Sequence, residues 1–288
     1  MPDYNLQWFR TLFPHIGTGM IYLNHAAMSP LSTRVVQAVT DYLHRRSETE
    51  VEFYQPVIRT LVETKRLIGT LLQTSPDRIA MTDNTSNGLN ILAAGFDWKS
   101  GDRILVPDIE FPANVYPFLN LKRHGVEVDF LPVRNGHIGI EEIEPALTAR
   151  TRLFSVSHVQ FLHGIKVDLA AIGDLCKRKG ILFCVDAIQS VGAVPIDVKA
   201  MNIDFLATGG HKWLMAPEGI GFIYVSEECQ SRIRQAHVGW TSITDFFTDL
   251  LRYRLDLDPS ARRYENGLVN VAVLMGLHAS LQILLDAG

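Results

Sequence analysis

Two side chains at the ends of apolar runs carry the first chemical signal in this sequence. Asp186 closes the run ILFCVD (181–186), and a carboxylate at the end of a buried strand stays ionised only with a solvent outlet or a positive partner. A cationic ligand nitrogen would meet that need. Twenty-six residues later, DFLATGG delivers His211 and Lys212 to the end of another apolar run, and the glycines of the following WLMAPEGIG permit a sharp turn and close backbone approach. A lysine presented there and partly withdrawn from water has a lowered pKa and condenses with an aldehyde to a Schiff base. An aromatic aldehyde with a basic ring nitrogen answers both residues, and pyridoxal 5′-phosphate (PLP) is such a group. The aspartate would keep the ring nitrogen protonated, making the ring an electron sink for a carbanion at the Cα of an amino-acid substrate.

Two further segments supply the rest of such a site. TDNTSNGLN (82–90) leaves the apolar run IAMT and enters a helical pattern, so Thr85, Ser86, Asn87 and Gly88 fall at a helix N-terminus, where N–H groups, hydroxyls and the helix dipole favour a phosphate. PDIEFPAN (107–114) follows the run RILV and places Phe111 where its ring could stack on a flat cofactor. Taken singly, each residue has a blander reading: a helix cap for Thr85, Ser86 and Asp186, ordinary core for Phe111, a solvated surface lysine for Lys212. Their order and their common placement at strand ends outweigh those readings. His158 and His163 flank a strand end without a third ligand, which reads as structural histidine and no metal site. Walker, GxGxxG, GxSxG and HExxH motifs are missing, so nucleotide-binding, serine-hydrolase and zinc-protease readings have nothing to stand on.

The elements that must position these residues follow a strand–helix–strand grammar. Short apolar runs recur at 79–82, 103–106, 126–131, 152–159, 181–186, 204–209 and 220–225, mostly separated by helical patterns. The clearest unit has Asp168 as N-cap, Leu169, Ile172, Leu175 and Cys176 on one face, and Gly180 as the stop before the next run. Before the first run, Ser32-Thr33 caps a helix with Val35, Val39, Tyr42 and Leu43 on one side, and Pro56 opens a second with Ile58, Leu61, Val62 and Ile68 inward. Repeated units of this kind predict an α/β fold whose mostly parallel sheet is sandwiched by helices, with chemistry at the carboxyl ends of the strands. After Val225 an irregular stretch leads to a helix expected from Leu268 to about Asp286.

A chain of 288 residues, 47% of them hydrophobic, can bury a large core. Its net charge of −4 arises from 27 basic and 31 acidic residues in mixed groups, which argues against a nucleic-acid partner. No apolar stretch approaches a membrane span, and three cysteines (Cys176, Cys184, Cys229) at no framework spacing point to a reducing compartment, so a cytoplasmic protein is expected.

With these residues on the page, the sequence resembles the class V aminotransferase family, which includes cysteine desulfurases, selenocysteine lyases, kynureninase and isopenicillin N epimerase. The likeness runs from YLNHAAMSPL to RRYENGLVN and is most specific in VDAIQSVGAVPIDV followed by DFLATGGHKWLMAPEGIGFIYV. It implies a fold-type-I PLP-dependent homodimer with sites at the subunit interface. By motif, Lys212 would be the Schiff-base lysine, Asp186 the pyridinium partner, Gln189 the residue beside the ring hydroxyl, Thr85 and Ser86 phosphate ligands, and His211 a phosphate or ring contact. Phe111 stands where desulfurases place a stacking histidine. There are departures: Gly209 replaces a phosphate-binding serine, for which Thr208 could compensate; Phe161 replaces an asparagine; and Leu268 replaces a threonine that reaches the neighbouring subunit's phosphate.

The chain is therefore expected to comprise an N-terminal segment (1–30), a large PLP-binding domain (31–235) and the incomplete start of a small C-terminal domain (236–288). The segment on which desulfurases carry their persulfide cysteine and substrate-carboxylate arginine is expected to be missing, and none of the three cysteines substitutes for the former. The expected activity is a PLP-dependent reaction on a small amino acid, of cysteine desulfurase, lyase or class V aminotransferase type. The alternatives are an amino-acid epimerase, a kynureninase-like hydrolase, a PLP-binding protein without turnover, or a cofactor-free module that uses only the fold.

Overall fold

A computed structural model describes residues 6–51, 54–134, 136–248 and 251–287 of the chain. Seven strands, β1 (Ile79–Thr82), β2 (Arg103–Pro107), β3 (Glu127–Leu131), β4 (Thr151–Ser157), β5 (Leu182–Asp186), β6 (Phe205–Gly209) and β7 (Gly221–Val225), form one sheet in the order β1-β7-β6-β5-β4-β2-β3. β7 runs antiparallel to both of its neighbours, and the remaining pairings are parallel. Nine helices accompany them among the described residues: α1 (Leu6–Thr11), α2 (Thr33–Glu48), α3 (Tyr54–Leu72), α4 (Thr85–Gly95), α5 (Tyr116–Leu119), α6 (Ile140–Ala146), α7 (Leu169–Lys179), α8 (Glu227–Arg232) and α9 (Val271–Ala287).

The sheet is buried on both faces because each central strand is apolar at successive positions, not only at alternate ones. Phe183 and Val185 of β5, Phe154 and Val156 of β4 and Leu206 of β6 enter a core shared with α2, α3, α7 and α9. Leu182, Cys184, Leu153, Phe205 and Ala207 point the other way, onto Leu89 and Leu92 of α4 and Phe118 of α5. This is the helix-covered, mostly parallel sheet expected from the sequence. A third cluster seats Leu12 and Phe13, just beyond α1, against Met215 and Ile283 of α9.

Local chemistry sets the element ends. Ser32 caps α2 by accepting from the Val35 N–H at 3.2 Å, and Asp168 caps α7 through the N–H groups of Ala170 and Ala171 at 3.1 Å each. Gly180 ends α7 in the left-handed region at φ 66°.

Four details differ from the sequence reading. Leu43 and Val62 are 51% and 61% exposed, because the buried stripes of α2 and α3 follow Val35–Tyr42 and Val57–Leu61–Ile68–Leu72, and the next residue round the helix lies off the stripe. Thr64 and Lys65 are buried in α3 instead. β4 ends at Ser157 rather than Val159, and α9 begins at Val271, leaving Leu268 60% exposed. α9 packs Leu274, Leu277 and Leu281 into the core shared with α2 and α3, a surface for this helix that the sequence pattern does not supply.

β1, β2, β4, β5 and β6 point the same way, so Thr85, Phe111, His158, Asp186 and Lys212, which follow or close them, gather at one end of the sheet.

Candidate active site

Asn24, Ala26, Ala27, Asn84, Thr85, Ser86, Phe111, Ala113, Phe161, Asp186, Ile188, His211 and Lys212 enclose a cavity of about 490 Å³ at that end. Asp186, 1% exposed, closes β5. Its Oδ1 accepts from the Ile188 N–H at 3.0 Å, while its buried Oδ2 has no partner. Burial pushes the Asp186 carboxyl up to about 7; the Ile188 hydrogen bond and the Lys212 charge oppose the rise, and the Glu110 carboxylate adds to it.

Lys212 is 8% exposed. Burial lowers its pKa against the opposing charge of Asp186. A tight turn follows it: the Met215 N–H donates to the Lys212 carbonyl at 2.9 Å, and Met215 takes φ 50°, a left-handed conformation unusual for methionine. The ammonium lies 5.5 Å from the centroid of the Phe111 ring, which is 41% exposed, and Phe161 meets that ring edge-on at 5.1 Å and 76°.

The N-terminus of α4 lines the same cavity. Asn84 caps it by accepting from the Asn87 N–H at 2.9 Å. Thr85 follows, 4% exposed, with a buried hydroxyl that has no partner. α4 lies close against the sheet because position 88 is glycine: a Cβ there would stand 2.8 Å from the Ile223 side chain and 3.0 Å from the Ala207 Cβ. Gly209 makes room in a similar way for His211, whose ring would lie 3.3 Å from a Cβ at 209. Burial and the Lys212 charge hold the His211 imidazole below its usual value.

Two of the expected cofactor ligands stand outside the cavity lining. Thr208 is 1% exposed and donates to the Gly209 carbonyl at 3.3 Å, and strand alternation sets it on the face of β6 opposite Ala207, whose Cβ meets α4. Gln189 accepts from the Trp213 indole N–H and donates to the Ala26 carbonyl, each at 2.9 Å, while His25 stacks on Trp213 at 5.1 Å and 22°. These contacts tie the segment 24–27 to the loop after β5 and to the turn after β6. The sequence reading also missed Glu110, and it took His158 for a satisfied structural histidine. His158 is 3% exposed with an unpartnered Nδ1, and burial lowers it to about 4. Nothing in DIEF or SHVQ distinguishes these residues from surface polar ones. His163 is exposed and joins no metal-type cluster; among the described residues the one such group is exposed His137 and Glu141 with half-buried Glu142.

All three cysteines are buried, and burial raises each thiol, Cys176 to about 12. No helix among the described residues is long and apolar enough to cross a membrane.

The residues present fit PLP. A buried carboxylate oxygen without a partner matches the ring nitrogen, a buried hydroxyl without a partner at a helix N-terminus matches the phosphate, and a desolvated lysine lining the same cavity matches the aldehyde.

The Aminotransferase class-V family profile matches residues 21–288. A probable cysteine desulfurase of Methanothermobacter thermautotrophicus is 34% identical over 266 residues, covering 91% of this chain and 66% of the relative. One from Pyrococcus abyssi is 30% identical over 284 residues, covering 93% and 68%. The chain thus spans about two thirds of the length of these curated relatives. Among solved structures, C-DES with glycine covalently linked to its PLP cofactor superposes at TM-score 0.90 with 27% identity, covering all of this chain and 75% of that one. The cystine C–S lyase C-DES with its product cysteine persulfide superposes at TM-score 0.87, also with 27% identity, covering 93% and 72%.

Proposed function

The chain belongs to the class-V aminotransferase family, and from that premise we propose that it is a PLP-dependent enzyme of cysteine desulfurase or lyase type, cleaving a bond at the β-carbon of a small sulfur-containing amino acid. The observation that carries this reading is the single cavity onto which Lys212, the unpartnered Oδ2 of Asp186 and the unpartnered hydroxyl of Thr85 converge. The relatives named for cysteine desulfuration and cystine C–S cleavage support the choice of substrate.

PLP, when bound, supplies the electron sink that makes the substrate Cα proton acidic. The chain's own residues do the rest. Thr85, Ser86 and the free N–H groups of α4 bind the phosphate, with His211 beside them. Asp186 holds a proton on the ring nitrogen. Phe111 orients the ring, and the segment 24–27 limits access of water. Lys212 would hold the aldehyde carbon and, as a neutral amine, a form its burial favours, would take up the substrate Cα proton. Cys176, Cys184 and Cys229 lie too deep to take up sulfur from the cavity.

We also infer a homodimer located in the cytoplasm. Ile21, Leu23 and Tyr253 are 86%, 87% and 90% exposed, apolar surface that a second copy would cover, and three free thiols suit a reducing compartment. Light scattering on the purified chain gives its mass directly.

The test is borohydride reduction of the PLP-loaded chain with peptide mapping, followed by assay with cysteine and cystine for sulfide, persulfide, pyruvate and alanine. The label is expected on Lys212, and Lys212→Ala should lose it together with a factor of about 10²–10⁴ or more in turnover. A label elsewhere would overturn the lysine assignment. Labelling of Lys212 without turnover of any amino acid would leave a PLP-binding protein.

A further inference from the structure

Glu110 is 8% exposed and lies directly behind the aromatic wall of the cavity. Its Oε1 accepts from the Ser157 N–H at 2.8 Å and from Gln160 Nε2 at 2.6 Å. Its Oε2 accepts from the Ser157 hydroxyl at 2.5 Å and from Asn114 Nδ2 at 2.9 Å, and Asn114 Oδ1 in turn accepts from the Ser155 hydroxyl at 2.6 Å. Asn114, Ser155, Ser157 and Gln160 are all 5% exposed or less. No hydrogen bond or ion pair to this carboxylate comes from a lysine or arginine among the described residues. Burial raises the Glu110 pKa, and the hydrogen bonds from Asn114, Ser157 and Gln160 oppose that rise; the ionised carboxylate is the form that uses all four donors.

Burying a carboxylate without a cation is costly, so its surroundings should make use of it. The network joins the two places where the site is built. Glu110 precedes Phe111, and Gln160 precedes Phe161, so the 2.6 Å Glu110–Gln160 bond fixes the backbone beneath both rings of the edge-on pair. Ser157 is also the residue of β4 that pairs with Asp186 of β5, and the next residue, His158, donates its N–H to the Asp186 carbonyl at 3.0 Å.

We propose that Glu110 is a positioning residue with an electrostatic function: its four hydrogen bonds fix the Phe111–Phe161 wall beside Lys212, and its negative charge holds a proton at the Asp186 end of the cavity. The charges acting on Asp186 are Glu110 from the loop after β2 and Lys212 after β6, with Cys184 two residues away in β5; His158, whose N–H meets the Asp186 carbonyl, and His211, which lines the same cavity, are the other ionisable groups nearby. Glu110 is the acid among those from neighbouring elements, and its charge acts on Asp186 in the direction proposed. The part of the claim that concerns a ring nitrogen rests on the function proposed above; the part that concerns Asp186 does not.

The experiment has two arms. In the cofactor-free chain, unfolding free energy is followed against pH for the wild type, Glu110→Gln, Asp186→Asn and the double variant. Neutral Asp186 has a raised folded pKa, so its stabilising contribution is present below the unfolded value near 4 and is lost as pH rises through about 7. Glu110→Gln should move the midpoint of that Asp186-dependent loss down by about half a pH unit or more. In the second arm, the pH midpoint of the visible absorption change of the PLP-loaded chain should also fall in Glu110→Gln. Glu110→Asp, which keeps the charge and shortens the reach, should leave the midpoint in place while weakening PLP binding. Lower stability in Glu110→Gln with both midpoints unmoved would reduce Glu110 to a structural brace and overturn the proposal. Failure of the wild type to take up PLP would count against the proposed function, and the first arm would still decide the coupling.

Discussion

Thr85 illustrates how a single residue reports a ligand. Its buried hydroxyl has no partner, a state that costs about 1–3 kcal/mol in a core, yet it faces the cavity from a helix N-terminus. Thr85→Val should therefore leave the melting temperature of the cofactor-free chain unchanged or higher. The same change should weaken PLP by about 1.5–3 kcal/mol, roughly tenfold to hundredfold in Kd, for the lost bond to a charged group. Paired unfolding and PLP titrations check both, and undiminished PLP affinity would place the phosphate elsewhere. Lys212 and Asp186 were legible at this scale because each closes or follows an apolar run, and the ends of such runs are where a parallel sheet presents its chemistry. Thr208 stands off the cavity lining, a placement its motif position does not reveal, because alternation along β6 sets it on the face opposite Ala207. Glu110 was invisible because an acid between Ile109 and Phe111 shows its burial only when β4 is set beside it.

At the level of elements, strands were the easiest to read. A parallel strand buried on both faces is a continuous apolar run, and asparagine, glycine and aspartate caps mark where it stops. Helix faces were harder, since one position round the helix separates Leu61, packed inward, from exposed Val62. The placement of α4 depends on a residue whose role is space. In an isolated helix, Gly88→Ala would add about 1 kcal/mol of helical stability. Here the added Cβ meets Ile223 at 2.8 Å and Ala207 at 3.0 Å, so the variant should instead lose about 1–2 kcal/mol and bind PLP less well as the helix N-terminus shifts. Thermal unfolding checks the sign, and a raised melting temperature would mean that α4 has slack against the sheet.

For the whole molecule, the class of fold followed from the alternation of runs and helical patterns, but the sheet order did not. Nothing local in IGFIYV says that β7 turns back between β6 and β1. The tie that fastens this edge was equally hidden: Lys65 of α3 and Glu265 form a buried ion pair at 2.6 Å, and Glu265 also accepts from the Met81 N–H of β1 at 2.8 Å. Lys65→Met should cost about 3–5 kcal/mol by leaving a buried charge without its partner. Adding Glu265→Gln, which keeps an acceptor for Met81, should recover much of that loss in denaturant unfolding. If the single variant were as stable as the wild type, the pair would not be fastening this edge.

The position of β7 also sets an order of events as the chain is made. Among the described residues β7 is the one strand neighbour of β1, and Ile79 pairs with Tyr224. A nascent chain that has just released β1 from the ribosome therefore holds a strand with no neighbour to pair with. The five strands β2 to β6 must be synthesised before the edge can close, so a chain stalled short of residue 221 would expose the unpaired edge of β1 to chaperones and proteases.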